Sequence, residues 1–462
     1  MIILNLFRSN MKQIIYTLIL LTQTSYTFSQ IIAYELAASW SKQEVNELYL
    51  ENGIPTSTGE INYAVDGYKI LYYSPDYNDE LVICSGAMFL PAEIGCEAPI
   101  LSWQHGTESN DDGVPSNVGN NYNDLIGVIG AANGYIVTMS DFIGMGEGEG
   151  IHNYVHADTE ASSTIDLIIY GKELATELLG ISPSDQLFLF GYSQGGHATM
   201  AAVKEIETNY SDQLSVTASC PMAGPYSMSE AQRLMLESGQ SYPNPGYLPY
   251  VLFAYDKVYD LYEDINDVLK PQYNNLISMY NGTYDMWEIN YEMWSIAQEE
   301  FGISPSDFTP IQIFQDEYYE EYLNNDDHPF KLALADNDVY DFVPTSPMRL
   351  IHCSGDDNVI YDNSQIAYDY FINTGAQNID LIDGGNLNHT ECAGLAILAG
   401  KLWIDSMSNL CEITKIDDNK GPEKQAIHYV DFLGRKVSEK MKNQNTITIY
   451  NDGSFEKKIT IE

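Results

Sequence analysis

Residues 187 to 203 read LFLFGYSQGGHATMAAV. An apolar run, Leu187 to Phe190, stops at Gly-Tyr-Ser-Gln-Gly-Gly, and a small-residue segment follows. Gly191-Tyr192-Ser193-Gln194-Gly195 fits G-x-S-x-G, in which a tight strand-to-helix turn pushes a serine into the open as a nucleophile. Glycines let strand and helix approach closely and tolerate strain at the serine. The competing reading is a plain glycine turn. The strand pattern before and the helix pattern after favour the elbow.

A serine hydroxyl attacks poorly until a histidine takes its proton, and an acid must then orient that histidine. On strand–elbow–helix scaffolds the chain order is Ser, then Asp or Glu, then His. Five histidines follow Ser193. His197 lies one turn into the elbow helix and points along it. His328 sits in the acidic run NNDDHP, His352 inside an apolar strand, and His428 near the C-terminus. His389 remains, in the loop GGNLNHT between the last core strand and the last core helix. Loops at strand C-termini carry the chemistry of α/β sheets. The acid is expected just past the preceding strand, where Asp356 and Asp357 both qualify; Asp356 is favoured. The oxyanion hole needs two backbone N–H donors. Gln194 supplies one. SWQHGTE ends an earlier strand, so Thr107 supplies the other, with Gly106 as the alternative. His105 precedes the serine and reads as a brace for that loop.

These residues need a scaffold. From Tyr68 to Cys220, strand patterns (YKILYY, LVICSGAMFL, PILSWQ, YIVTMS, LFLFGY, SVTASC) alternate with helical stretches at 122–133, 160–179 and 194–208. That alternation predicts a mostly parallel central sheet with helices on both faces. The first two strands have little between them and read as an antiparallel hairpin at the edge. Residues 226–342 are helical in pattern and rich in tyrosine, which predicts an inserted cap. Sheet pattern resumes at MRLIHCSGDD and ends with a helix at 390–407. The core domain with its cap thus spans 30–410, followed by a linker at 411–424 and a small β-rich tail at 425–462. Two β runs around Asn451-Asp452-Gly453 suggest a hairpin there.

The net charge is -45, from 66 acidic and 21 basic residues. Nucleic acid and anionic membrane surfaces would be repelled and are excluded as partners. Arg8 and Lys12 precede an apolar stretch from Ile14 to Leu21, so residues 1–29 read as a signal peptide, and the chain is expected outside the cell. No later segment is long and apolar enough to span a bilayer. Of six cysteines, Cys84 and Cys96 could close a short loop, and Cys353 and Cys392 could pair beside the expected site; buried free thiols are the alternative. No spacing suggests zinc. The runs DEYYEE and NNDDHP lack calcium-loop spacing and read as solvated surface.

Several separated pieces together resemble the secreted α/β-hydrolases of the secretory lipase and esterase type: WQHGT at 103, SDFIGMGEGEGIHNYVHADTEA at 140, GYSQGGHA at 191, PMAGPYS at 221, HCSGDDNVIYDNS at 352 and NHTEC at 388. The resemblance covers roughly residues 68–410. It implies an α/β-hydrolase fold and places the acid at Asp356 and the base at His389. It also implies that the segment holding Asp141, Gly144, His152 and Tyr154 is scaffold beside the elbow. The tail resembles a C-terminal sorting segment of the type IX secretion system, which would make the secretion machinery a partner; a small accessory β element is the other reading.

The combined expectation is a serine ester hydrolase acting through Ser193, His389 and Asp356, with no metal or organic cofactor, on a small-molecule or polymer-linked ester. Two readings compete. One is a serine peptidase on the same scaffold, which the lack of a propeller repeat disfavours. The other is a silent fold that binds a ligand among the cap aromatics; an intact candidate triad argues against it. The cap aromatics themselves read first as core of the helical insert, and second as substrate contacts.

Overall fold

The computed structural model describes residues 30–55 and 58–411, together with the backbone of four strands between 426 and 459. The expected signal peptide, and the expected linker beyond its first residue, lie outside the described residues. The chain divides into two compact units, residues 1–411 and 412–462.

The larger unit is built on a nine-stranded sheet of order β1-β2-β3-β5-β4-β6-β7-β8-β9. The strands are β1 (Ile31–Trp40), β2 (Val65–Pro75), β3 (Leu81–Pro91), β4 (Ile100–Gln104), β5 (Ile136–Ser140), β6 (Leu187–Tyr192), β7 (Val216–Met222), β8 (Met348–His352) and β9 (Ile379–Asp383). From β5 through β9 all neighbours are parallel. β4, β5 and β6 are buried along their whole length, as parallel strands covered on both faces must be. β2 and β3 pair antiparallel as expected, but they are not the edge. β1 lies outside them, antiparallel to β2, followed by the helix α1 (Lys42–Glu51). Neither was anticipated, because β1 is mostly exposed and carries no alternation of apolar and polar residues to announce a strand.

One face of the sheet is covered by α1, α2 (Asn123–Asn133) and the last core helix, His389–Asp405. The other is covered by α3 (Ala157–Leu179), α4 (Gln194–Asn209) and the helix Asp362–Thr374. After β7 the chain leaves the sheet at Tyr226. It runs through a π-helical turn at Met228–Gln232 and then α5 (Arg233–Glu237), α6 (Tyr247–Tyr259), α7 (Met286–Phe301), α8 (Asp316–Asn324) and α9 (Pro329–Asp336). This insert has its own apolar cluster, including Tyr250, Tyr255, Tyr273 and Tyr280. The chain re-enters the sheet at β8.

Cys353 pairs with Cys392, whereas Cys84 does not close a loop with Cys96: Cys96 pairs with Cys411, and Cys84 and Cys220 are buried thiols. Geometry explains the correction. Cys84 sits in mid-β3, and at about 3.3 Å per residue it lies roughly 20 Å back from the end of the strand that leads to Cys96. The smaller unit is a four-stranded antiparallel sheet in which Asn445–Tyr450 and Phe455–Ile459 pair on either side of residues 451–454.

Candidate active site

β4 and β6 run side by side with Gln104 opposite Gly191, so the 105–107 loop and the elbow leave the sheet together. The turn itself demands glycine. A Cβ on Gly195 would run into the Gln104 carbonyl, one on Gly191 into the Gly195 carbonyl, and one on Gly196 into the Met222 carbonyl. With that packing fixed, Ser193 takes φ 62° and ψ −124°, a conformation that costs about 1–3 kcal/mol in a residue with a side chain. The turn is anchored by the Ser193 N–H, which donates to Met222 O at 3.0 Å.

Ser193 Oγ lies 2.8 Å from His389 Nε2, and His389 Nδ1 lies 2.6 Å from Asp356 Oδ2. With the Nδ1 proton donated to the carboxylate, Nε2 presents its lone pair to the serine hydroxyl. Asp356 Oδ1 accepts the N–H groups of Asn358 and Val359 at 2.9 and 2.8 Å. Burial alone would raise the Asp356 pKa. Donors from His352 and His389 outweigh it and hold the carboxyl well below the usual carboxylate range. His389 opens its helix behind an Asn388–Glu391 capping box. Its backbone N–H donates to Asp357 Oδ1 at 3.2 Å, and its carbonyl accepts the Tyr192 hydroxyl at 2.6 Å. The Tyr192 ring packs on the imidazole with centroids 4.9 Å apart.

Of the two expected oxyanion donors, Gln194 directly follows the serine and Thr107 belongs to the loop beside it. Gln194 is the first residue of α4, so its N–H has no partner inside the helix. A Cβ on Gly106 would stand 3.9 Å from Ser193 Cβ, which sets the 105–107 loop against the nucleophile. The Thr107 hydroxyl is paired with Tyr154 Oη at 2.8 Å. His105 is buried beneath the loop, its Nδ1 2.7 Å from Gly106 O; burial pushes its pKa down to about 4, so the ring is neutral.

The 141–160 segment forms the floor under the elbow. Gln194 Nε2 donates to His152 Nε2 at 2.7 Å and to Glu160 Oε1 at 2.9 Å, while Glu160 Oε2 accepts from His197 Nδ1 at 2.6 Å. Burial pushes the His152 pKa down to about 3, which leaves the ring neutral and able to accept. His197 thus faces away from Ser193.

Three contributors escaped the sequence reading. His352 was set aside as a strand residue; it ends β8, with Nε2 3.3 Å from Asp356 Oδ2 and 2.8 Å from Val359 O. Its spacing of four residues before Asp356 was the available signal. Tyr192 and Glu160 offered none, because both act across long sequence separations. The cap aromatics divide. Tyr250, Tyr255, Tyr273 and Tyr280 are core, whereas Tyr242 and Tyr247 join Tyr154 in lining a narrow cavity of about 50 Å³ that begins at Ser193 and Gln194. Met228, Leu248, Val251, Phe330 and Leu334 are among the apolar side chains of the remaining wall.

Solved structures share this architecture. A Legionella pneumophila protein provisionally termed a hydrolase aligns with a TM-score of 0.70 and 26% identity, over 82% of this chain and 98% of its own. The rice cell wall degrading esterase LipA of Xanthomonas oryzae aligns with a TM-score of 0.67 and 24% identity, over 82% and 97%. Candida antarctica lipase A in its closed state aligns with a TM-score of 0.57 and 16% identity, over 83% and 84%. This is an α/β-hydrolase fold. The chain matches no family model and no curated protein. Within the α/β-hydrolase frame, the helical segment from 226 to 342 stands between β7 and β8, and Ser193 follows β6. No helix among the described residues is long and apolar enough to cross a membrane.

Proposed function

We propose that the protein is an exported serine ester hydrolase. Ser193 Oγ attacks the ester carbonyl carbon as His389 Nε2 takes its proton. The Gln194 and Thr107 N–H groups receive the charge that develops on the carbonyl oxygen. The intermediate collapses as His389 returns the proton to the departing alcohol, which leaves an acyl-serine. Water, deprotonated by the same histidine, releases the acid. Asp356 holds the imidazole in the tautomer that both steps need. The steps call on no cofactor.

The observation that carries the reading is the unbroken relay from Ser193 Oγ through His389 to Asp356, at 2.8 and 2.6 Å, on a serine held at positive φ. The esterase and lipase among the structural relatives agree with it. Export is supported by the leader-like residues 1–29 and by two disulfides, which persist in oxidising compartments. Sorting through the tail rests on sequence resemblance. Secretion of a chain lacking residues 425–462 at the normal level would dismiss it.

The test of the activity is a fluorophosphonate label with a series of nitrophenyl esters, on the wild type and on Ser193→Ala. Wild-type labelling and turnover, both absent from a folded Ser193→Ala, are expected. Turnover retained by that variant would end the proposal.

A further inference from the structure

The cavity above Ser193 is walled mainly by apolar side chains, yet three tyrosines also line it. Two of their hydroxyls are committed. Tyr154 Oη is paired with the Thr107 hydroxyl at 2.8 Å, and Tyr242 Oη donates to Asn358 O at 2.9 Å. The third, on Tyr247, makes no hydrogen bond of good geometry among the described residues; the Thr107 hydroxyl is its near neighbour. A donor held by no more than a weak contact with the Thr107 hydroxyl, which is itself paired with Tyr154, therefore stands beside the loop expected to provide half of the oxyanion hole.

The placement of Tyr247 is not that of a loose lid residue. It is the first residue of α6, and the segment before it is pinned at four points. Gly246 N donates to Asn290 Oδ1 at 2.8 Å, and Gly246 O accepts the Tyr280 hydroxyl at 2.6 Å. Asn290 Nδ2 donates to Asn244 Oδ1 at 2.9 Å. Asn244 Nδ2 in turn donates to Asn358 Oδ1 at 2.7 Å, two residues past Asp356. This chain of amides ties the start of α6 to the loop that carries the triad acid. Donors fixed in advance, in a site that excludes water, stabilise developing charge most strongly, because nothing need reorganise during the reaction.

We propose that the Tyr247 hydroxyl is a third hydrogen-bond donor, supplied by the cap, to the oxyanion that forms when Ser193 attacks. The proposal rests on the serine esterase reading above. The phenolic proton stays on Tyr247 throughout; the hydroxyl only donates. Burial, with Glu108 nearby, pushes its pKa up to about 12, so the group remains a neutral donor across the working range. The cap then contributes to chemistry as well as to the shape of the cavity. An ester whose binding leaves the cap seated is turned over with three donors, and one that displaces α6 with two.

The deciding experiment compares full-length wild type, Tyr247→Phe and Thr107→Val on nitrophenyl acetate and butyrate. Active sites are counted by fluorophosphonate titration, so kcat is read per competent site even if a variant folds poorly. Tyr247→Phe is expected to lower kcat about tenfold or more, to leave KM within about twofold, and to slow labelling in parallel, since the phosphonyl oxygen occupies the same hole. Thr107→Val keeps the backbone N–H and is expected to change kcat less. If Tyr247→Phe keeps the wild-type kcat, or changes KM alone, the proposal is wrong while the serine reading stands. If the wild type is neither labelled nor active, the serine reading fails and this proposal falls with it.

Discussion

Asp356 and Asp357, adjacent in the chain, hold the same histidine at different atoms. Asp356 Oδ2 sits 2.6 Å from the ring Nδ1 of His389, and Asp357 Oδ1 sits 3.2 Å from its backbone nitrogen. Their side chains diverge from one turn, one toward the imidazole and the other toward the start of the helix.

The two substitutions should therefore separate. Asp356→Asn removes the charge that fixes the tautomer and should lower kcat by about 10³–10⁴ with little change in the fold. Asp357→Asn keeps a side-chain oxygen able to accept the His389 N–H and should cost about tenfold or less. Rates measured with titrated active sites check this. Equal losses would mean that the two carboxylates share the role.

Glycine tolerance should follow the space at each position rather than closeness to Ser193. Gly195→Ala would press a methyl group into the Gln104 carbonyl, backbone against backbone, and should yield little folded protein. Gly106→Ala meets nothing nearer than 3.5 Å, the Tyr192 carbonyl, and should fold normally with activity within about threefold of wild type. Yield and melting temperature of the two variants give the comparison.

The sequence made the sheet legible because its central strands are short, largely apolar runs separated by helices. Ser193, Asp356 and His389 could be found because strand, turn and helix order restrict where such groups can stand. Two kinds of feature were hidden. β1 is an exposed edge strand, so burial leaves no periodic mark on it. Tyr192, Glu160 and His352 act through contacts with His389, Gln194 and Asp356, and only folding brings the first two pairs together. The sequence favours Asp356 over Asp357, but the physical reason shows only in the fold: it depends on which way two neighbouring side chains leave one turn.

The disulfides should have different consequences. Cys353 lies three residues before Asp356 and Cys392 three after His389, so this bond ties the Asp356 loop to the helix that begins at His389. Cys353→Ala with Cys392→Ala should lower kcat severalfold and KM little. Cys96–Cys411 joins the loop after β3 to the end of the larger unit, across 315 residues of sequence. Its removal should cost on the order of 2–5 kcal/mol of stability, and kcat should be unchanged below the melting transition. A kcat effect from the second pair and none from the first would reverse the assignment.

Glu108 follows the 105–107 loop, and its burial pushes its pKa up to about 7, with Asp285 adding to the shift and a Tyr122 hydrogen bond opposing it. In the unfolded chain a glutamate titrates near 4.3, to within about a unit. Between the two values the folded state binds the extra proton, so the contribution of Glu108 to stability is fully present below about pH 4 and is lost as pH rises through about 7. Asp356 behaves oppositely: its lowered pKa gives stability that is present above the unfolded value and is lost on acidification. Glu108→Gln removes the first titration and retains a partner for Tyr122. The variant should melt at the wild-type temperature near pH 4 and several degrees above it at pH 8. Melting curves of both proteins from pH 4 to 8 decide the matter, since parallel curves across that range would mean that Glu108 is ionised at no cost in the folded protein.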